Sequence, residues 1–519
     1  MATTSETLPG SESVACRETD RWRNWGRPWG SHAMSSGSKA RMTSDRHGPK
    51  VGRSARSTEE AGQCPPRKGA EQDSLFDEGY TAAPEADSTV STKLAELVAR
   101  AREEARLTNI VQFLDEELLR LAFRSLRKQA APGVDGQNYE DYAANLDRNL
   151  RDLYARTKSG RYQAPVIRRV YVPKANGKRR PIGITTIEDR VVQKAVAWVL
   201  SAVFEQDFRE CSHGFRPKRS PHTALHRLRE GMRLHGARYV VEADLASYFD
   251  SVNWAWLRKF VQHRANDGGL LRLLNKWLKA GVMENGVVTQ MSDGVPQGGP
   301  VSPVLSNLYL HYVLDLWFER RFRKTCRGYA ELTRFADDFV AAFQNREDAE
   351  RFRQEVDERL AAFGLRVVPE KTAMLRFDGS LLQGGPGRPA EKPGTFTFLG
   401  FTHYLTKTRR GTITIGRTPS VKARERFVRK VTTWVKANRH QPVRVQQAHL
   451  TKMLSGHYQY FGLYFCWQAL NGVLLRVRRV WHRALQRRSQ KAKRHTDWAT
   501  VAAKPWFQLP KPQLTQAWV

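Results

Sequence analysis

Apolar positions recur along this 519-residue chain in two rhythms, and the switches between them outline its elements. Thr92–Arg106 is rich in Ala, Leu and Glu, and in Leu114–Lys128 the residues Leu118, Leu119 and Phe123 share one face; both stretches predict helices. From Val166 to Pro173 the period shortens to two, an Asn176-Gly177 turn follows, and Arg180-Pro-Ile-Gly-Ile184 completes a predicted hairpin. Val192, Val196, Val199 and Val203 mark one buried face of a helix from Glu188 to Phe208, and a basic helix runs from Pro221 to about Leu234. Tyr239–Leu245 is almost continuously apolar and of strand length, which predicts a strand central in a sheet. Leu332–Phe343 holds two short apolar segments around Asp337-Asp338, each too short for a helix, and reads as strand, tight turn, strand. An amphipathic helix is expected over Arg346–Phe363, a strand over Leu365–Thr372 ending at Lys371, and a short strand over Phe396–Thr402. From Val421 the pattern becomes helical, first with Phe427, Val431, Trp434 and Val435 on one face, later with Leu470, Val473, Leu474, Val477, Val480 and Trp481.

Composition divides the chain further. Residues 1–90 are rich in Gly, Ser, Thr and Pro without a sustained period and read as a disordered tail. Its Arg21–Trp29 cluster suits either base stacking or a short sticky tail. The expected divisions are the tail 1–90, a mixed strand and helix region 91–402, and a basic helical region 403–519. The formal net charge is +34, unevenly spread: residues 402–519 hold 24 Lys/Arg against only Glu425 and Asp497. Such self-repulsion is costly without a polyanion and points to nucleic acid. Arg476, Arg479, Arg483, Arg487 and Arg488 coat the last helical stretch and are the candidate backbone contacts. Five scattered cysteines without a Cys-x-x-Cys support neither a zinc ribbon nor a disulfide framework. With no signal-peptide core and no apolar run of membrane-spanning length, the expectation is a cytoplasmic protein without a membrane partner.

Charge also carries the chemistry. An Asp-Asp pair alone is usually a solvated turn, but Asp244 ends another predicted buried strand. Three such acids, brought together, suit two Mg²⁺ ions with Mn²⁺ as a substitute, because hard cations take carboxylate oxygens and leave sites for phosphate. Alone, Asp244 would serve equally well as a cap for the following turn. Asp293–Pro303 contains three Pro and three Gly beside Gln297, a rigid loop suited to a nucleotide pocket. The cationic hairpin tip Lys174–Arg180 suits either a solvated turn or closure over a triphosphate.

Several blocks then occur in one order: Arg180–Ile184, His213-Gly-Phe-Arg-Pro217, Asp244 with Phe249, Pro296–Asn307, Phe335-Ala-Asp-Asp338, Leu365–Thr372 and Phe398-Leu-Gly-Phe401. Together they resemble a bacterial group II intron reverse transcriptase/maturase over about residues 105–402. Gly456–Phe461, Trp481 and Leu485–Gln490 resemble the thumb or maturase domain of that family. The resemblance implies an α+β right-hand polymerase, with fingers and palm followed by a helical thumb. It implies Asp244, Asp337 and Asp338 as metal ligands and Phe249 as the gate against a ribose 2′-hydroxyl. It further implies that Lys174 and Arg180 meet the triphosphate, that Gln297 lines the nucleotide pocket, and that Lys371 is a general acid for pyrophosphate. Ala131–Gly136 matches a block that lies over the template. Implied partners are the parent intron RNA, target DNA and primer, and dNTPs; implied roles are splicing assistance and copying of the intron. Two departures stand out: Phe335 occupies the usual Tyr position of the catalytic box, and no endonuclease pattern is expected after residue 402. A splicing cofactor without polymerase activity and a domesticated enzyme of phage defence remain alternatives.

Overall fold

The apolar run at Tyr239 forms the middle of a four-stranded antiparallel sheet. In the computed structural model, which describes residues 88–173, 179–295, 298–383, 392–490, 494 and 497–515, strand β3 (Tyr239–Asp244) is flanked by β7 (Asp338–Phe343) and β8 (Ala373–Arg376). Strand β6 (Ala330–Phe335) completes the order β6-β7-β3-β8. Val240, Val241 and Ala243 are buried, as a strand covered on both faces requires. Of the predicted tail only its last residues are described, and the first helix α1 (Ser88–Glu103) already opens there. Lys174 and Gln297 lie outside the described residues, as does the side chain of Lys371.

The predicted hairpin forms from β1 (Ile167–Pro173) and β2 (Arg179–Ile184), paired antiparallel. Helix α2 (Glu116–Arg124) precedes the hairpin, and α3 (Ile187–Phe204) follows it before the central sheet begins. Helix α3 was expected to bury one face, yet it is buried all round, because α1, α2 and α6 (Ser302–Leu310) all pack on it. Between α3 and α6 come α4 (Pro221–His235) and α5 (Gly268–Leu278). A short hairpin absent from the sequence reading, β4 (Val282–Glu284) and β5 (Val287–Thr289), turns at Asn285-Gly286, both at positive φ, and extends the β1–β2 sheet.

Two strand expectations are corrected. Leu365–Lys371 is not a strand: Val367 makes one isolated bridge with Leu245, and Pro369–Lys371 is a 3₁₀ turn. Pro369 lacks the amide that a ladder needs, so the pairing strand begins only at Ala373. Phe396–Thr402 is two strands, β9 (Phe396–Phe398) and β10 (Phe401–Lys407), reversed at Leu399-Gly400, where both residues have positive φ. Strand β11 (Ile413–Pro419) then pairs with β10, so the expected division at 402/403 cuts a strand. Helices α7 (Val421–Ala437), α8 (Val443–Phe461) and α9 (Trp467–Gln486) follow.

The helices do not form a separate core. Leu225 and Leu228 of α4, Val240 and Val340 of the central sheet, Phe398 and Phe401 of the hairpin, and Val431, Leu454 and Trp481 of α7–α9 belong to one apolar cluster. Helix α4 links the central sheet to the basic helices. Among the described residues no helix is long and apolar enough to cross a membrane.

Candidate active site

Strand register decides where the acids meet. Asp244, the last residue of β3, lies directly opposite Asp338, the first residue of β7. Such cross-strand partners have Cα atoms about 4.5–5.5 Å apart, within reach of one shared cation. Asp337 precedes Asp338 in the β6–β7 turn, after Ala336 at φ +57°. A left-handed alanine is strained by about 1 kcal/mol or more, so neighbours must hold the turn. A side chain at Gly214 would run into the Ala336 amide nitrogen, and the His213 amide donates to the Arg334 carbonyl at 2.8 Å. The His213–Pro217 loop is therefore packed under the acidic turn.

A fourth acid was missed. Glu242 sits two residues before Asp244 and shares its face of β3, and its charge raises the Asp338 carboxyl together with Asp244 and Asp337. The period-two spacing of Glu242 and Asp244 was the available signal. Burial is the largest cause of the Asp338 shift, which reaches about 8; Asp337 is also raised, by burial and by Asp244. The Arg180 and Arg334 guanidiniums oppose the Asp337 shift. Among the described residues no three His, Cys, Asp or Glu side chains form a closed ligand cluster. The donor types nevertheless fit a hard divalent cation: Asp244, Asp337 and Asp338 leave paired or adjacent backbone positions and repel one another, and a cation is the counter-charge such carboxylates take.

Backbone groups, aromatic rings and a Gly/Pro loop surround the acids. Leu399, in the β9–β10 turn, donates its amide to the Asp338 carboxylate, and the Tyr460 hydroxyl of α8 donates to the Leu399 carbonyl at 2.9 Å. Phe249 is half-buried, five residues after Asp244, and its carbonyl accepts from the Val295 amide at 2.7 Å. Gly294, at φ +91°, lets this loop approach the Phe249–Asp250 backbone, where an added Cβ would lie 3.0 Å away. Gly298 packs against the Gly183 carbonyl of β2, so the Gly/Pro loop and the strand carrying Arg180 adjoin. Ala131 and Pro132 are clamped to the same region, their carbonyls accepting from Arg190 and Arg168, each at 2.6 Å. Phe335 packs against the large apolar cluster.

Residues 172–403, which contain all three acids, match the family model described as reverse transcriptase (RNA-dependent DNA polymerase). The group II intron-encoded protein LtrA of Lactococcus lactis subsp. cremoris is 38% identical over 208 residues, 39% of this chain and 34% of LtrA. Residues 172–403 form a reverse transcriptase domain similar to that of a group II intron-encoded protein. Protein YkfC of Escherichia coli K12 is 42% identical over 194 residues, 37% of this chain and 51% of YkfC. The retron Mx162 reverse transcriptase of Myxococcus xanthus is 28% identical over 225 residues, 40% of this chain and 43% of that protein. The alignments thus span between a third and about half of these relatives' length.

Beyond the reverse transcriptase domain, Arg476, Arg479, Arg483 and Arg487 are exposed along α9 and its end. Arg488 differs: its Nε donates to the Arg439 carbonyl at 2.5 Å and its Nη2 to the Gln441 carbonyl. That guanidinium brackets the α7–α8 loop, so only part of it faces outward.

Proposed function

We propose that this protein is an RNA-directed DNA polymerase that binds its parent group II intron RNA, assists its splicing and copies it into DNA. The observation that carries this reading is the Asp244–Asp338 register with Asp337 in the adjoining turn. Bound at these carboxylates, two Mg²⁺ ions, or Mn²⁺ in their place, would supply activation of the primer 3′-hydroxyl and charge for the leaving pyrophosphate. The β1–β2 and β4–β5 sheet acts as fingers, the central sheet as palm and α7–α9 as thumb. Arg180 and Lys174 neutralise the triphosphate, Gln297 and the Gly/Pro loop line the nucleotide pocket, and Lys371 protonates the pyrophosphate. A pure RNA binder has no use for three adjacent repelling acids. The direct test is Mg²⁺-dependent dNTP incorporation on a primed RNA template, with crosslinking to identify the RNA bound in cells. Absence of incorporation by the purified protein overturns the polymerase assignment.

Phe249 serves as the sugar gate against a ribose 2′-hydroxyl. Phe249→Val is expected to raise ribonucleotide incorporation about 10²-fold relative to dNTP, while dNTP incorporation stays within a few-fold. Unchanged sugar discrimination removes Phe249 from this role.

Arg476, Arg479, Arg483 and Arg487 grip the RNA backbone. Four phosphate contacts give a log–log salt slope of about −3, hence roughly fifty-fold weaker RNA binding between about 50 and 200 mM salt. A flat titration by filter binding contradicts the assignment.

A further inference from the structure

The guanidinium of Arg334, on β6 directly before the acidic turn, is fully buried and has no role in the reading above. Its five N–H groups all find acceptors. Nε donates to Asp315 Oδ1 at 2.8 Å and Nη2 to Asp315 Oδ2 at 2.6 Å, a fork in which neither side chain is exposed. Nη2 also donates to Ser212 Oγ at 2.7 Å. Nη1 donates to Asn307 Oδ1 at 3.1 Å and to the Ala336 carbonyl at 2.8 Å. Asn307 in turn donates its Nδ2 to the Gly214 carbonyl at 2.5 Å. Three stretches of chain thus converge on one side chain: the Ser212–Gly214 loop, the helical run from α6 with Asn307 into the π-helical segment His311–Asp315, and the strained turn itself.

The acceptor at Ala336 gives this cluster its meaning. That carbonyl belongs to the peptide joining Ala336 to Asp337, so fixing it sets the direction in which the Asp337 side chain leaves the backbone. As a stability device alone, a buried ion pair is replaceable by apolar side chains of similar volume. A planar fork with five donors is needed only if carboxylate, amide, hydroxyl and turn carbonyl must all be held at once; a lysine, with three donors on one atom, cannot span them.

We propose that Arg334 is a positioning residue for nucleotidyl transfer: with Asp315, Asn307 and Ser212 it locks the Ala336–Asp337 peptide and so aims the Asp337 carboxylate. The inference rests on the polymerase reading. Its test is the paired replacement Arg334→Met with Asp315→Leu in the full chain, measured for thermal midpoint, RNA affinity, and single-nucleotide kcat and KM. The expected result is a midpoint within a few degrees of the parent, unchanged RNA affinity and dNTP KM, and kcat lowered on the order of 10²-fold. Parental kcat in the well-folded pair means the cluster is only structural and overturns the proposal. Should the pair fail to fold, Asn307→Ser leaves the ion pair intact and removes one tether; kcat about tenfold lower at constant KM supports the proposal, and parental kcat overturns it. A parent protein that incorporates no dNTP at all instead sinks the polymerase reading, so the two failures are distinct.

Discussion

Asp337→Ala is expected to lower Mg²⁺-dependent dNTP incorporation on an RNA template on the order of 10³-fold or more, about 4 kcal/mol of transition-state stabilisation. The size follows from the position: Asp337 adjoins Asp338, which the register sets opposite Asp244. On the proposed reading, losing one of three carboxylates would leave too few oxygens to hold two ions in a fixed arrangement. RNA affinity should survive, because the exposed arginines of α9 belong to a different part of the chain. Stability should not fall either. The Asp337 carboxyl is raised by burial and by the Asp244 charge, so its removal relieves repulsion, and the thermal midpoint is expected to hold or rise. An inactive variant that has also lost stability would leave misfolding as the cause; parental incorporation by a stable Asp337→Ala protein would end the assignment of Asp337 as a ligand.

Trp481→Ala carries the largest expected effect on stability. The indole is fully buried, stacks on Phe507 with ring centroids 4.7 Å apart, and donates from Nε1 to Gln446 Oε1 at 2.8 Å. Gln446 then donates to the carbonyls of Asn438, Arg439 and Gln441, so the tryptophan orders the loop that Arg488 also brackets. The cavity costs about 3–5 kcal/mol, and the stranded Gln446 oxygen adds roughly another 1. A midpoint drop on the order of 5–10 °C is expected, with weaker RNA binding as α7–α9 loosen. Trp481→Phe keeps an aromatic ring in place of the indole and should cost far less. A Trp481→Ala protein with the parental midpoint and RNA affinity would show that the helices do not depend on this core.

Much of the site was legible in advance because it is local chemistry. The strand before Asp244, the tight turn at Asp337-Asp338, the Gly/Pro loop and the arginine-coated helix each announce themselves within a dozen residues. What was misread was also local in appearance but decided elsewhere. Leu365–Lys371 has strand composition, yet Pro369 withholds an amide and the sheet takes Ala373–Arg376 instead. Phe396–Thr402 looks like one strand, yet Leu399 and Gly400 reverse it, and the reversal brings the Leu399 amide to Asp338. Glu242 went unnoticed because an acid within an apolar strand gains meaning only from the charges on its face.

The amino-acid sequence by itself determined which residues could do chemistry and which stretches would be helix or strand, since periodicity and turn preferences act over a few neighbouring positions. The tertiary structure alone decided that Asp244 faces Asp338, about ninety residues away, and that Arg334 lies buried beneath the turn rather than in solvent. Strand register and the burial of a charge are set by the summed packing of distant elements, and no local pattern encodes that sum.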